Sequence, residues 1–202
     1  MKSRGCLIAG VVLGGIAVVA IGLFLWGMGV YNGLVKSDEG VRSAWSQVES
    51  QYQRRADLVP NLVNTVKGYA SQEKDVLLGV TEARAKVSQM TVTKEVLEDP
   101  QAFAKFQQAQ DQLSSAISRL LVVTENYPNL KSNENFMALQ TQLEGTENRI
   151  AVERQRYNTT VQGYNTQLRT FPASLIAGLT GFKEKAYFKA KEGADTPPEV
   201  KF

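Results

Sequence analysis

The sequence predicts an all-α protein, in which an N-terminal transmembrane helix precedes an antiparallel, up-and-down bundle of long helices. Residues 5–35 carry no charged side chain, and apolar residues recur at steps of three and four as far as residue 171. No stretch keeps the two-residue alternation of a strand for long. The predicted segments are a short cytoplasmic N-terminus at 1–5, a transmembrane helix at 6–30, a helical bundle at 31–171, and a C-terminal tail at 172–202.

The transmembrane prediction rests on the length of the apolar run CLIAGVVLGGIAVVAIGLFLWGMGV at residues 6–30. As a helix it would be about 37 Å long, enough to cross a hydrocarbon core of about 30 Å with some tilt. Trp26 and Tyr31 lie near its far end, where such side chains favour the membrane interface. A cleaved signal peptide is the alternative, but its apolar core is usually only about 7–15 residues long. A retained anchor is therefore favoured.

Charges beside the apolar run predict its orientation. The N-terminus, Lys2 and Arg4 precede it, and Lys36 and Arg42 follow it. This distribution favours a cytoplasmic N-terminus and a bundle outside the cytoplasm. Over the whole chain, 23 basic residues face 20 acidic ones, so the sequence lacks the clustered basic surface of a nucleic-acid-binding protein.

The bundle is predicted from three apolar stripes with the three-four spacing of packed helices. The first comprises Val41, Trp45, Val48, Tyr52, Val59, Leu62, Val66, Tyr69, Val76, Val80, Ala83 and Val87. The second comprises Phe103, Phe106, Leu113, Ile117, Leu120 and Tyr127. The third comprises Phe136, Leu139, Leu143, Thr146, Ile150, Tyr157, Tyr164, Leu168 and Phe171.

Helix boundaries are predicted from proline and capping residues. Asp99 is a candidate N-cap with Pro100 at the first helical position, and Pro128 marks the next break. Pro60 allows two interpretations: a kink would leave three long helices, and a new helix starting there would give four. Because an unbroken helix over 41–90 would be about 75 Å long and overhang its neighbours, four helices are favoured.

The tail is predicted to fold back on the bundle in part, because several large apolar side chains there would be costly to leave in water. These residues are Phe182, Tyr187, Phe188, Val200 and Phe202.

Polar residues beside the stripes predict an interior network or pocket. The dipeptide Tyr-Asn occurs at 157–158 and again seven residues later at 164–165, which places both pairs on one helix face. The predicted set is Arg54, Arg55, Asp57, Asn61, Asn64, Glu82, Arg84, Glu147, Arg149, Tyr157, Asn158, Tyr164 and Asn165. A satisfied network that fixes helix register is favoured over a binding pocket.

The residue types in the sequence give little indication of a catalytic site. The chain has no histidine and a single cysteine, Cys6, so the commonest general base and any internal disulfide are excluded. Ser71 and Lys74 have an S-x-x-K spacing without the partner motifs of acyl enzymes. Glu144 and Glu147 share a helix face, and a carboxylate site for Mg²⁺ or Ca²⁺ there is a remote alternative. We therefore predict no catalytic residue, metal or cofactor.

Several segments together resemble the LemA family. They are YNGLV, AWSQVESQYQRRADLVPNLVNTVKGYASQE, TEARA, YPNLK, LEGTENRIAVERQRYN, YNTQLRTFP, and AYFKA followed by PPEVKF, in this order from Tyr31 to Phe202. One departure is Gln72, a position that often carries histidine in that family. The resemblance implies a bacterial membrane-anchored helical bundle with no established enzyme activity. It also implies genes nearby for a membrane metalloprotease or a TPM-domain membrane protein.

These observations predict a non-enzymatic, single-pass scaffold or interaction module of the bacterial cell envelope, anchored in the plasma membrane. The expected partner is a membrane or envelope protein, including the metalloprotease and TPM-domain candidates, and a homo-oligomer remains open. Nucleic acid is not an expected partner. The alternative function is sensing of a small polar ligand between the helices near Arg54, Asp57, Tyr157 and Tyr164.

Overall fold

The computed structural model describes the backbone of residues 2–190 and the side chains of residues 11–190. All regular secondary structure in this range is helical, which confirms the all-α prediction. The helices are α1 (Lys2–Tyr69), α2 (Lys74–Ser88), α3 (Lys94–Glu98), α4 (Pro100–Thr124), α5 (Pro128–Lys131), α6 (Glu134–Arg169) and α7 (Ala173–Thr180).

The first helix, α1, runs without a break from the apolar N-terminal stretch into the bundle. It contains 68 residues and is about 100 Å long. Side chains 11–26 are all exposed, and the first fully buried side chain is Leu34. Among the described helices, α1 alone is long and apolar enough to cross a membrane. The same helix therefore supplies the candidate membrane span and the first helix of the bundle.

Pro60 does not start a new helix, so that prediction is wrong. It lies inside α1, and having no N–H it cannot donate to the Ala56 carbonyl one turn earlier. The Arg84 side chain of α2 occupies that acceptor instead, with Nε 2.9 Å from the Ala56 oxygen. The chain reverses at residues 70–73, a break that the apolar stripe concealed because its spacing continues by coincidence across the turn.

Four helices, of which α2 is the shortest, form an up-and-down bundle, although with boundaries different from the predicted ones. Their order is α1, α2, α4 and α6, and each runs antiparallel to the one before it. The α1–α6 pair is held at one end by the hydrogen bond from Ser37 to Gln167 and at the other by that from Asn133 to Tyr69. Asp99 caps α4 by accepting from two backbone N–H groups, as its sequence context predicts.

The bundle contains two hydrophobic clusters, which we call the proximal core and the distal core by their position relative to the apolar end of α1. The proximal core is rich in aromatic side chains and includes Leu34, Val41, Trp45, Val48, Tyr52, Phe103, Phe106, Tyr157, Tyr164 and Phe188. The distal core is mainly aliphatic and includes Val59, Leu62, Val66, Val80, Leu113, Ile117, Leu120, Leu130, Phe136 and Leu143.

The described part of the tail, residues 172–190, folds back on the proximal half of the bundle. After α7, residues 182–190 form a stretch without helix, which we call the tail segment. Phe188 and Ala186 are buried in it, and the Ala186 N–H donates to the Leu97 carbonyl of α3 at 2.8 Å. Val200 and Phe202, which were also expected to contribute, lie outside the described residues.

Candidate functional site

A buried arginine layer separates the two cores. Arg55 of α1 is 1% exposed and donates from Nη1 to Ser114 Oγ at 2.6 Å and to Glu147 Oε1 at 2.8 Å. Its Nη2 donates to the side-chain oxygen of Gln110 at 2.5 Å and to the Gln110 carbonyl at 3.2 Å. Only Nε has no hydrogen-bond partner among the described residues. One guanidinium thus joins α1, α4 and α6, at the level where aromatic packing gives way to aliphatic packing.

A second cation extends this layer toward the tail segment. Arg154 of α6 donates from Nε to the Tyr52 hydroxyl at 2.6 Å and from Nη2 to Asp111 at 3.2 Å. Burial raises the pKa of Tyr52 above its ordinary value, although the neighbouring guanidinium groups oppose that shift. Burial also works to lower the pKa of Arg154, but Tyr52 and Asp111 raise it overall. The Arg154 guanidinium lies 4.9 Å from the ring centre of Phe188.

Three carboxamide side chains hold the tail segment by its backbone, and we call them the carboxamide clasp. Asn165 donates to the Lys185 carbonyl and accepts from the Lys185 N–H, both at 2.9 Å. Asn158 makes the same pair with Phe188, at 3.0 and 2.9 Å. Gln107 of α4 does so with Lys189 from the other side, at 2.7 and 3.2 Å. The clasp therefore imitates the pairing of a neighbouring β-strand.

The seven-residue repeat of asparagine matches the spacing of the backbone it binds. Seven residues of α6 advance about 10.5 Å along the helix axis. Lys185 and Phe188, the partners of Asn165 and Asn158, are three residues apart, which is about 10 Å in an extended chain. The tail segment is thus extended between these two contacts.

Two tyrosines complete the contact with the tail backbone. Tyr157 donates its hydroxyl to the Ala186 carbonyl at 3.2 Å, and Tyr164 donates to the Lys183 carbonyl at 3.0 Å. Burial raises the pKa of both hydroxyls well above the ordinary tyrosine value, and for Tyr164 the nearby Asp38 carboxylate raises it further. Both side chains therefore remain proton donors throughout the physiological pH range.

Two side chains of the tail segment are deeply inserted between the helices. Lys185 is 3% exposed, and its Nζ lies 2.9 Å from Asp38 of α1 and 2.8 Å from Glu98 of α3. The Phe188 ring packs against Phe103 and Tyr157, with ring centres 4.8 and 5.4 Å away. The hydrogen bonds to its backbone position the tail segment. Lys185 and Phe188 add an ionic and an aromatic contact that depend on the identity of these two side chains.

The structure brings together about half of the residues predicted for the interior network. Arg55 and Glu147 form an ion pair in the arginine layer. Arg84 donates a hydrogen bond to the Ala56 carbonyl. The two Tyr-Asn pairs bind the backbone of the tail segment. The exposed ones are Arg54, Asp57, Asn61, Asn64, Glu82 and Arg149. They lie outside the network because each is offset from the buried stripe of its helix, and one residue of offset is about 100° of rotation.

The sequence reasoning missed several residues that the structure makes central. They are Asp38, Glu98, Gln107, Gln110, Asp111, Ser114, Arg154 and Lys185. Gln110 lies in the register of the second apolar stripe, between Phe106 and Leu113, and a polar residue at such a core position was the available signal. Lys185 had no signal, because it lies in a charged stretch that resembles a solvated terminus.

The residues considered for catalysis do not converge. Glu144 is exposed and accepts a hydrogen bond from Gln140, whereas Glu147 contacts Arg55, so the two carboxylates have different partners. Ser71 and Lys74 are exposed at the turn between α1 and α2. Among the described residues, no three acidic or cysteine side chains are grouped closely enough to hold a metal ion.

An open cleft of about 580 Å³ lies between α4 and α6 beside the tail segment. Its charged lining consists of Arg55, Asp111, Glu147, Arg154 and Lys189. Four of these charges already form the pairs Arg55–Glu147 and Arg154–Asp111, with nitrogen–oxygen distances of 2.8 and 3.2 Å. The cleft is therefore polar, but its lining is largely satisfied within the chain.

Comparison with known proteins gives consistent similarities. A sequence model described as the LemA family matches residues 44–202. The chain is 28% identical over 184 residues to the proteins named Magnetosome protein MamQ 1 and MamQ 2 of Paramagnetospirillum magneticum, which covers 83% of this chain and 67% of each relative. It is 23% identical over 176 residues to Protein LemA of Metamycoplasma hominis, which covers 87% of this chain and 76% of that protein.

Proposed function

Because the chain belongs to the LemA family, we propose that it is a non-enzymatic, single-pass scaffold or interaction module of the bacterial cell envelope. The chain is a membrane-associated helical protein, as its apolar span and its relatives indicate. None of the names of the relatives given above describes an enzyme. In this proposal the anchor lies in the plasma membrane, with a cytoplasmic N-terminus and an extracytoplasmic bundle.

The continuity of α1 is the observation that carries the proposal. A single helix enters the bundle from the apolar stretch, so the bundle stands on its anchor without a flexible linker. The interior polar groups are bound mainly by other groups of the same chain, notably in the arginine layer and the carboxamide clasp. Such an arrangement suits a rigid body that presents its outer surface to a partner.

The outer face of α6 is the proposed contact surface. Val152 is 55% exposed there, and Met137 is 47% exposed nearer the distal end. The proposed partner is an integral membrane or envelope protein, with a membrane metalloprotease and a TPM-domain protein as named candidates. A second copy of this chain is the other partner to be distinguished.

Photocrosslinking in living cells tests this surface. A photoreactive benzoyl-phenylalanine would replace Val152 or Met137, and the matched control would replace Val122, which is 69% exposed on α4. We expect a discrete adduct from the α6 positions, identified by mass spectrometry as an envelope protein or a second copy. Absence of any adduct at both α6 positions would contradict the proposal.

Cysteine labelling tests the proposed topology. Lys131 is exposed at the distal end of the bundle, so the variant K131C in a C6S background offers one accessible thiol. A membrane-impermeant maleimide should label it in intact spheroplasts. Labelling only after lysis would place the bundle in the cytoplasm and contradict the orientation predicted from the flanking charges.

Binding of a small polar ligand is the second candidate function, and the cleft beside Arg55 and Arg154 is the observation that favours it. A ligand there would have to displace an existing ion pair, since both arginines already contact carboxylates. The region first predicted for a ligand is not assembled, because Arg54 and Asp57 are exposed. Calorimetry with small dicarboxylates and sugar phosphates tests the cleft, and heat that is lost in R154A would support binding.

A further inference from the structure

The segment around α7 is uncharged and mainly apolar, and a charged residue lies close to each of its ends. Residues 171–182, FPASLIAGLTGF, contain no charge, whereas Arg169 precedes them and Lys183 follows. α7 itself spans eight residues, Ala173–Thr180. The segment is too short to cross a bilayer, since a spanning helix needs about 20 residues.

This segment runs along α1 toward the N-terminal apolar stretch and then turns back. Before it, Gln167 contacts Ser37. In the middle, Ile176 lies beside Gly27, where a Cβ atom would be 3.9 Å from its Cδ1 atom. At the end, the Phe182 ring packs edge-on against Tyr31, with ring centres 5.8 Å apart. Gly27 is one helical turn below Tyr31, so α7 reaches about 6 Å past that aromatic residue.

The two faces of α7 have different surroundings. Ala173 and Ala177 are each 5% exposed and belong to the proximal core. On the opposite face Leu175 is 61% and Leu179 84% exposed, and Phe171, in the turn before α7, is 75% exposed. Leu175 and Leu179 are four residues apart on the helix, so they form an exposed apolar stripe along this face.

The neighbouring surface of α1 indicates what covers this stripe. At the same level Trp26 and Met28 are also exposed, 51% and 47%, and they continue into the exposed side chains 11–25. The apolar face of α7 is therefore continuous with the candidate membrane span. With Tyr31 taken as the interfacial residue of the proposed anchor, the reach of about 6 Å below it matches the depth of interfacial helices, about 5–10 Å into the boundary between headgroups and acyl chains.

We propose that α7 is a second membrane-contacting element, lying in the interfacial zone of the leaflet on the bundle side with Leu175 and Leu179 facing lipid. This inference rests on the proposed role of residues 6–30 as the membrane anchor. A span alone leaves the helix free to rotate about its axis. An apolar element on one side of it fixes which face of the bundle is turned toward the membrane.

Lipid-borne quenchers test the proposal on the full-length protein in liposomes. Single cysteines in the C6S background, L179C and L175C, would carry an environment-sensitive nitrobenzoxadiazole fluorophore. We expect blue-shifted emission that falls about twofold with nitroxide lipids labelled near the headgroup and less with lipids labelled near the acyl chain end. The matched control is V122C, which is 69% exposed on α4 and should stay unquenched.

A further control separates this inference from the membrane anchor itself. Leu23 lies one helical turn deeper in the apolar stretch than Gly27 and is 62% exposed, so L23C should be quenched more by the deep nitroxide than L179C and L175C. If L179C and L175C behave like V122C while L23C is quenched, the α7 proposal is overturned and the anchor stands. If L23C is also unquenched, both the anchor and the α7 proposal fail.

Discussion

The distal and proximal halves of the bundle are closed in different ways. Around the distal core, α1, α2, α4 and α6 form four helical sides packed through aliphatic side chains. α2 has only 15 residues, about 22 Å, whereas α6 has 36 residues and is about 54 Å long. The proximal half therefore lacks a fourth long helix, and α3 and the tail segment take its place around an aromatic core.

An extended segment can therefore complete the side of a bundle that a short helix leaves open, if its backbone groups find hydrogen-bond partners. A helix satisfies its own N–H and C=O groups, but an extended chain does not. Asn158, Asn165 and Gln107 supply what a neighbouring strand would supply. The proximal half consequently depends on contacts between residues far apart in the chain, such as Lys185 with Asp38.

Substitution of Lys185, which lies only in the proximal half, is expected to destabilise the protein most. K185A would leave Asp38 and Glu98 without their buried cation, and removing one partner of a buried pair costs about 3–5 kcal/mol. Hydrogen exchange in detergent micelles should show loss of protection around Trp45 and Phe103. Protection around Leu62 and Leu113 in the distal core should change far less.

Two matched variants sharpen this test. K183A removes an exposed lysine two residues away and should shift stability by no more than about 0.5 kcal/mol. The combination K185M with D38N and E98Q removes all three charges and should recover part of the loss. Equal protection in K185A and the parent protein would show that the tail segment does not close the proximal half.

Substitution of Arg55 is expected to destabilise both halves of the bundle, because the arginine layer lies between them. R55A leaves Gln110 and Glu147 without their shared donor, and we expect a loss of about 1–3 kcal/mol in the free energy of unfolding. The control is the neighbouring R54A, whose side chain is exposed. Urea denaturation monitored by circular dichroism gives the measurement, and a parent-like midpoint for R55A would contradict this role.

The contact between Arg84 and Ala56 should affect the distal half through Pro60. R84A removes the donor to the free Ala56 carbonyl and should cost about 1 kcal/mol. In P60A the restored N–H can donate to the same oxygen, so R84A should cost less in that background. A double-mutant cycle measures the coupling, and additive effects of the two substitutions would show that Arg84 does not compensate for Pro60.

The smallest expected effect is on how the stability of the proximal half changes with pH. The pKa values of Tyr157 and Tyr164 are raised in the folded protein, so the folded state binds more protons than the unfolded state above about pH 10. Their contribution is fully present below the ordinary tyrosine pKa of 10.0 and declines as the pH rises above it. The slope of unfolding free energy against pH should therefore be shallower in Y157F/Y164F than in the parent protein.

Apolar spacing predicted core residues in both halves of the bundle, including Trp45 in the proximal core. Val59, Leu62 and Val66 were predicted as core from their spacing, and all three are buried. The break at residues 70–73 was missed because two helices happened to share one apolar register. Spacing also identified the face carrying Asn158 and Asn165, but not what it binds.

The tail segment could not be predicted in detail for a physical reason. An extended chain held through its backbone leaves no periodic apolar pattern for sequence analysis to detect. Phe188 indicated that some of the tail is buried, whereas the partners of Lys185 lie 87 and 147 positions earlier in the chain, at Glu98 and Asp38. Such pairings follow from the fold and not from local sequence.

The unbroken course of α1 gives the molecule the mechanics of a lever. From Tyr31 to Tyr69 the helix rises about 57 Å, so a tilt of the membrane segment by about 10° would displace the far end by about 10 Å. α6 packs along this length and stiffens it. In the proposed anchored arrangement, a change in bilayer thickness or in the tilt of residues 6–30 would therefore be transmitted to the far end of the bundle as a large sideways movement.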